Sequence, residues 1–229
     1  MNTNNRLIGD SEFGSNSKKR WKIRMELKYK CRKCGMCCYE IPESPGAKRI
    51  PLYPEEVDRL IEIVKRRESK NKKSSKFRVV EDLIFPDALN KKILVITYKI
   101  LFENPESSCP FYDVNLGCTI HEIKPFSCQA YPLSLKLEDA FNFQISIDPM
   151  CRYVVAYYEK LKSFNLEEIK DVFKDEYPKA EKFYRKNKRI MLKIRRLEYE
   201  NKIKIPRQIS MEEFNNALKE WDRLEIRVD

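Results

Sequence analysis

Cys31, Cys34, Cys37 and Cys38 fall within eight consecutive residues, and Cys109, Cys118, Cys128 and Cys151 follow after a gap of seventy. The first group reads C-x-x-C-x-x-C-C. Two intervening residues let a tight turn aim both flanking thiolates at one metal, and Gly35 permits the positive φ that turns backbone N–H groups towards sulfur. C-x-x-C-x-x-C also supplies three corners of a cubane cluster, the fourth coming from elsewhere in the chain. Adjacent side chains usually diverge, so either Cys37 or Cys38 is expected to face a second site. Two four-thiolate sites would use all eight cysteines. Such sites do not exist in the unfolded chain, so the metal is expected to supply folding energy that short strands cannot.

Two other uses of cysteine compete with this reading. Free cysteine packs as a small hydrophobe, an alternative that weighs most at Cys151, which lies outside any tight motif. Disulfides need an oxidising compartment, and a vicinal Cys37–Cys38 bridge would be strained. The first twenty residues, rich in Asn, Ser and Gly, lack the apolar core of a signal peptide and read as a disordered tail. The expected compartment is therefore the cytoplasm, where thiols stay reduced.

Composition narrows the classes. Apolar residues make up 42% of the 229 and aromatics 11%, enough for a core and against full-length disorder. The longest apolar stretch, Tyr153 to Tyr158, is far short of the roughly 20 residues that cross a bilayer, so no transmembrane segment is expected. Five glycines and a single histidine, His121, argue against Gly-rich phosphate loops and sites needing several imidazoles. No P-loop, H-E-x-x-H or dinucleotide fingerprint occurs, and no second histidine exists for a triad. Neither Cys37 nor Cys38 has an assignable activating group that would make it a nucleophile.

Pro54-Glu55-Glu56 opens a helix carrying Val57, Leu60, Ile61 and Val64 at helical spacing. It runs into Lys65–Arg78, a basic stretch of net +7. Ile93 to Leu101 and Phe141 to Ile147 read as strands. After Cys151 the pattern is helical throughout. Asn165 with Glu168 and Ser210 with Glu213 form capping boxes, the second followed by an apolar face of Phe214, Ala217, Leu218 and Trp221. A long helix starts at Pro178 and reaches about Ile203, with Phe183, Ile190, Ile194 and Leu197 inward. The expected fold is α+β: a tail over 1–20, a loop-rich metal-organised domain over 21–152, and a mainly helical basic extension over 153–229.

The cysteine segments resemble a family. Cys31–Cys38, then Cys109-Pro110-Phe111-Tyr112, then Cys118-Thr119-Ile120-His121-Glu122, then Pro125-Phe126-Ser127-Cys128-Gln129-Ala130-Tyr131-Pro132, are similar in order and spacing to the YkgJ-type cysteine-cluster family. Its pattern is C-x-x-C-G-x-C-C … C-x-[FY]-[LY] … C-x-I-[YH]-x-x-R-P-x-x-C-R-x-[FY]-P. Pro54-Glu55-Glu56-Val57 resembles its short helix between the cysteine groups. The resemblance spans about Tyr29 to Pro132 and implies a zinc, iron or iron–sulfur site without a settled activity. Flagellin lysine methylases carry a similar cluster, the best hint of an enzymatic relative. Lys124 and Gln129 stand where the family usually has arginines; if those offset thiolate charge, this chain does so differently. Cys118-x-x-His121 has ligand-like spacing, although the family commonly has tyrosine there; a packed or outer-sphere histidine is the expectation.

Formal charge is +11, and Lys179–Lys204 alone carries a net +8 with Phe183, Tyr184 and Tyr199 interleaved. Nucleic acid or an acidic protein is the partner such a stretch would hold, and a solvated lysine-rich face the bland alternative. Three functions remain: a cysteine-cluster metalloprotein acting as a binding module, a cluster-dependent redox or methylase-like enzyme, and a zinc-stabilised nucleic-acid-binding adaptor. For the metal, Cys31/Cys34/Cys37 resembles a three-corner arrangement, and Cys109, Cys118, Cys128 and Cys151 form no second knuckle. That asymmetry favours a 4Fe–4S iron–sulfur cluster over zinc.

Overall fold

A computed structural model describes residues 27–39, 50–69, 77–101, 108–137 and 143–228. The expected tail over 1–20, the core of the basic stretch and the start of the Phe141 strand lie outside the described residues. The fold is α+β, as the sequence indicates.

Helix α1 (Pro54–Glu68) begins where proline and two acids favour a helix N-terminus, and ends on Lys65, Arg66 and Arg67, which suit its negative end. It buries Val57 and Leu60. Strands β1 (Val79–Asp87) and β2 (Lys92–Ile100) form an antiparallel hairpin in register from Val79–Ile100 to Asp87–Lys92, with an irregularity around Leu83. Short strands β3 (Tyr112–Asp113) and β4 (Gly117–Cys118) pair, as do β5 (Leu133–Leu137) and β6 (Phe143–Ile147). Between the two pairs lies the one-turn helix α2 (Phe126–Ala130).

Helices α3 (Arg152–Ala156), α4 (Tyr158–Lys162) and α5 (Leu166–Val172) follow, then the 23-residue α6 (Tyr177–Tyr199) and α7 (Met211–Glu220). Asn165 and Ser210 cap α5 and α7 as expected, each accepting from the third helical N–H while the Glu there returns the bond. Among the described residues no helix is long and apolar enough to cross a membrane.

The chain is not helical throughout after Cys151. Strand β7 (Asp222–Glu225) pairs in parallel with β2, from Lys92–Asp222 to Val95–Glu225, giving the sheet order β1-β2-β7. Its four residues, Asp-Arg-Leu-Glu, are mostly exposed, and no apolar alternation marks it. The central strand β2 is covered on both faces. Ile93 and Val95 pack with Ala217 of α7, whereas Leu94 and Ile96 pack with Ile190 and Ile194 of α6.

Helix α6 also ends sooner than the pattern implies. Asn201 takes a left-handed φ of 53°, and the N–H groups of Asn201 and Lys202 bond back to Glu198 and Leu197. This is a Schellman stop with asparagine in the glycine position. Ile203 nonetheless joins the core of Ile190 and Ile194, so the apolar rhythm continues past the helix that produced it. Helix α6 packs across α2 and β5, and so braces the element that carries Cys128.

Candidate metal centre

The loop bearing the first cysteines is fixed at both ends. The Tyr29 N–H donates to the Val172 carbonyl at 2.8 Å, and the Tyr29 ring packs between Tyr153 and Phe173, each 5.0 Å away between centroids. Beyond it the backbone takes positive φ at Lys33 (51°) and Gly35 (76°), then a 3-10 turn over Met36–Cys38 closed by a 2.6 Å bond from the Cys38 N–H to the Gly35 carbonyl. A side chain on Gly35 would overlap the Tyr112 ring, so this glycine is required by both its φ and its neighbour.

Each later cysteine reaches the same place from a different element. The Cys109 N–H donates to the Cys38 carbonyl at 2.7 Å, tying the two sequence groups together through the backbone. Cys118 ends β4, whose Gly117 would, with a side chain, meet Lys33 Cβ at 2.6 Å. Cys128 rides on α2, held by two contacts from before and within α1. The buried Glu56 carboxylate accepts from the Phe126 N–H at 2.7 Å, and Ser127 Oγ donates to the Pro51 carbonyl. Cys151 sits at the N-cap of α3.

All eight cysteines line one cavity of about 70 Å³. None is disulfide-bonded. The Cys37 and Cys38 sulfurs lie 3.8 Å apart, so the expected divergence of these neighbours does not occur. The groups interleave as well: Cys38 interacts with Cys109 and Cys128, and Cys37 with Cys118 and Cys128. Among the described residues, however, no three Cys, His, Asp or Glu side chains converge as a ready-made site for a single ion. The thiols line the wall of one chamber.

Four of these thiols have raised pKa values. A hydrogen bond with Cys109, then burial, push the Cys38 thiol up; burial does the same for Cys118, Cys128 and Cys151. Against this, the Lys124 ammonium lowers both Cys118 and Cys128, and the N–H groups of Val154 and Tyr153 lower Cys151. His121 also reaches the cavity wall, where burial and then Lys124 and Lys33 push its pKa down.

The two departures from the family pattern take defined places, and one further feature was not visible as a motif. Lys124 lines the chamber and supplies a cation where the family has arginine, whereas Gln129 donates to the Lys124 carbonyl at 2.6 Å and fixes that segment. A collar of tyrosines also lines the wall: Tyr29, Tyr112, Tyr131 and Tyr153. The Tyr29 hydroxyl reaches Cys151, and the Tyr153 hydroxyl is buried without a hydrogen-bond partner among the described residues. A buried phenol left without a partner is costly in an apolar wall and useful beside an anionic sulfur. Eight soft donors, a nearby ammonium and a spare hydroxyl fit a thiolate-bound metal.

A family model described as "Putative zinc- or iron-chelating domain" matches residues 30–152. No curated protein and no solved structure matches the chain. The match takes in more than half of the 229 residues and every cysteine, within an arrangement whose donors suit a soft metal. This chain belongs to the CxxCxxCC family.

Proposed function

We propose that this chain is an iron–sulfur protein in which Cys31, Cys34, Cys37, Cys38, Cys109, Cys118, Cys128 and Cys151 serve one polynuclear chamber. The observation that carries this reading is that all eight thiols, the Cys31/Cys34/Cys37 triplet among them, line a single cavity. A tetrahedral zinc ion needs four sulfurs about 2.3 Å from one centre. A cluster is larger, and thiolates reach it around its perimeter. Cys31, Cys34 and Cys37 have the spacing of three cubane corners. Cys38 lies too close to Cys37 to hold a separate iron of that cubane, which leaves the fourth corner of a 4Fe–4S centre to the second group.

When bound, such a centre supplies one-electron chemistry. The chain's own residues would orient it and tune it: Lys124 would offset thiolate charge, and the Tyr29 hydroxyl would donate towards Cys151.

One observation favours zinc as the second reading. Two thiolates on one tetrahedral ion with 2.3 Å bonds stand about 3.8 Å apart, the separation of Cys37 and Cys38. Anaerobic purification with iron, zinc and acid-labile sulfide analysis separates the two. The iron–sulfur reading expects brown protein with iron and sulfide in comparable amounts. Colourless protein carrying about two zinc per chain and no sulfide would overturn it.

A further inference from the structure

The outer face of α6 carries a second chemistry, apart from the cysteine chamber. Its inner face buries Ala180, Lys186, Ile190 and Ile194. Lys186 is spent there, paired with Glu55 and lying over the Tyr53 ring. On the outside, Lys188, Leu192, Arg195 and Tyr199 recur at i, i+4, i+7 and i+11, a single exposed stripe. Tyr199 is 88% exposed, a degree of exposure that no packing role explains.

The acids of this helix do not balance the stripe. Glu181 is held by Arg185 at 3.0 Å, Glu200 by Arg196 and Lys202 at 2.7 and 2.8 Å, and Glu198 by Arg207 at 3.4 Å. Lys188, Arg189 and Arg195 are left without an acidic partner among the described residues. At the C-terminal end of the helix the stripe opens into a groove of about 720 Å³, lined by Arg195, Tyr199, Lys204 and Arg207 among others, and by no cysteine. Twenty-three residues at 1.5 Å each make α6 about 35 Å long, room for several phosphates.

We propose that this stripe and groove bind single-stranded nucleic acid. Lys188, Arg189, Arg195 and Lys204 meet successive phosphates, and Tyr199 stacks on an unpaired base. Separated cations suit a polyanion. The bare aromatic ring selects a single strand, because every base offers a π-face only when unstacked. A membrane surface would need a wider apolar face than Met191, Leu192 and Tyr199 provide.

The test is fluorescence anisotropy of the metal-loaded full chain with labelled mixed-sequence 12-mers of RNA and DNA, single-stranded and duplex, at two salt concentrations. Three to four phosphate contacts give a slope near −0.7 per contact, so single strands should bind roughly twentyfold to fiftyfold more weakly at 200 than at 50 mM salt. Tyr199→Ala should weaken single-strand binding about tenfold and leave the salt slope alone, and Tyr199→Phe should retain it. The double variant Lys188→Glu/Arg195→Glu should weaken binding more than tenfold and flatten the slope by about 1.4. A preference for RNA or DNA identifies the polymer and supports the site. Unchanged affinity in either Tyr199→Ala or the double variant overturns the proposal, as does a duplex bound more tightly than its single strand. Metal content is measured in every variant and should equal wild type, so failure here is distinct from failure of the iron–sulfur reading.

Discussion

Gly35 shows how much one residue of the cysteine motif carries. Its φ of 76° turns the chain between Cys34 and Cys37, and the Tyr112 ring occupies the space where a Cβ would stand. Gly35→Ala should therefore cost at least about 1–2 kcal/mol in backbone strain alone and also displace Tyr112. Thermal unfolding with metal analysis checks this: a lower melting temperature and reduced metal content are expected, against a wild-type melt if the turn tolerates a side chain. At Lys124 the expectation concerns charge. Its ammonium lowers the Cys118 and Cys128 thiols, so Lys124→Glu should accelerate metal loss to a chelator whereas Lys124→Arg should not. Equal release rates for the two variants would show that the cation has no bearing on the thiolates. The cysteines and Gly35 were legible because spacing alone states their chemistry. The tyrosine collar was not, because Tyr29 and Tyr153 are ordinary core residues by pattern, and only the fold brings them to the chamber wall.

Among the elements, the connection that matters most runs through Glu56. It closes the first turn of α1 by accepting from the Tyr53 N–H at 3.0 Å, and with its other oxygen it accepts from the first N–H of α2, the helix of Cys128. Burial raises the Glu56 pKa, and the two N–H groups oppose the rise. Glu56→Ala leaves two donors without a partner and should destabilise the fold by about 2–4 kcal/mol, read by chemical denaturation. A loss below about 0.5 kcal/mol would mean that water replaces the carboxylate and that α1 does not position Cys128. In the sequence, Pro54-Glu55-Glu56 announces a helix start correctly, but nothing local says that Glu56 also caps an element seventy residues away. Strand β7 illustrates the same limit. Its pairing with β2 is set by long-range register, while its composition reads as a charged helix tail. The stop of α6 at Asn201 is a local event, yet asparagine marks such a stop less surely than glycine.

For the whole molecule, the two cysteine groups close around one chamber, and the helical C-terminal segment supports that closure. Helix α6 packs across α2 and β5, and β7 completes the sheet on the far side of β2. The α+β class was readable from the alternation of strand-like and helical segments. The merging of both groups into one chamber was not, since it depends on the Cys109 to Cys38 backbone bond and on which way adjacent side chains turn. Eight thiols acting as one metal-binding unit should be shielded and released together. Peptide-resolved alkylation of anaerobically purified protein, before and after chelation, tests it most directly. All eight cysteines should resist iodoacetamide in the metal-loaded protein and become reactive together when the metal is removed. One group reacting throughout while the other stays protected, or all eight reacting equally before and after chelation, would contradict it.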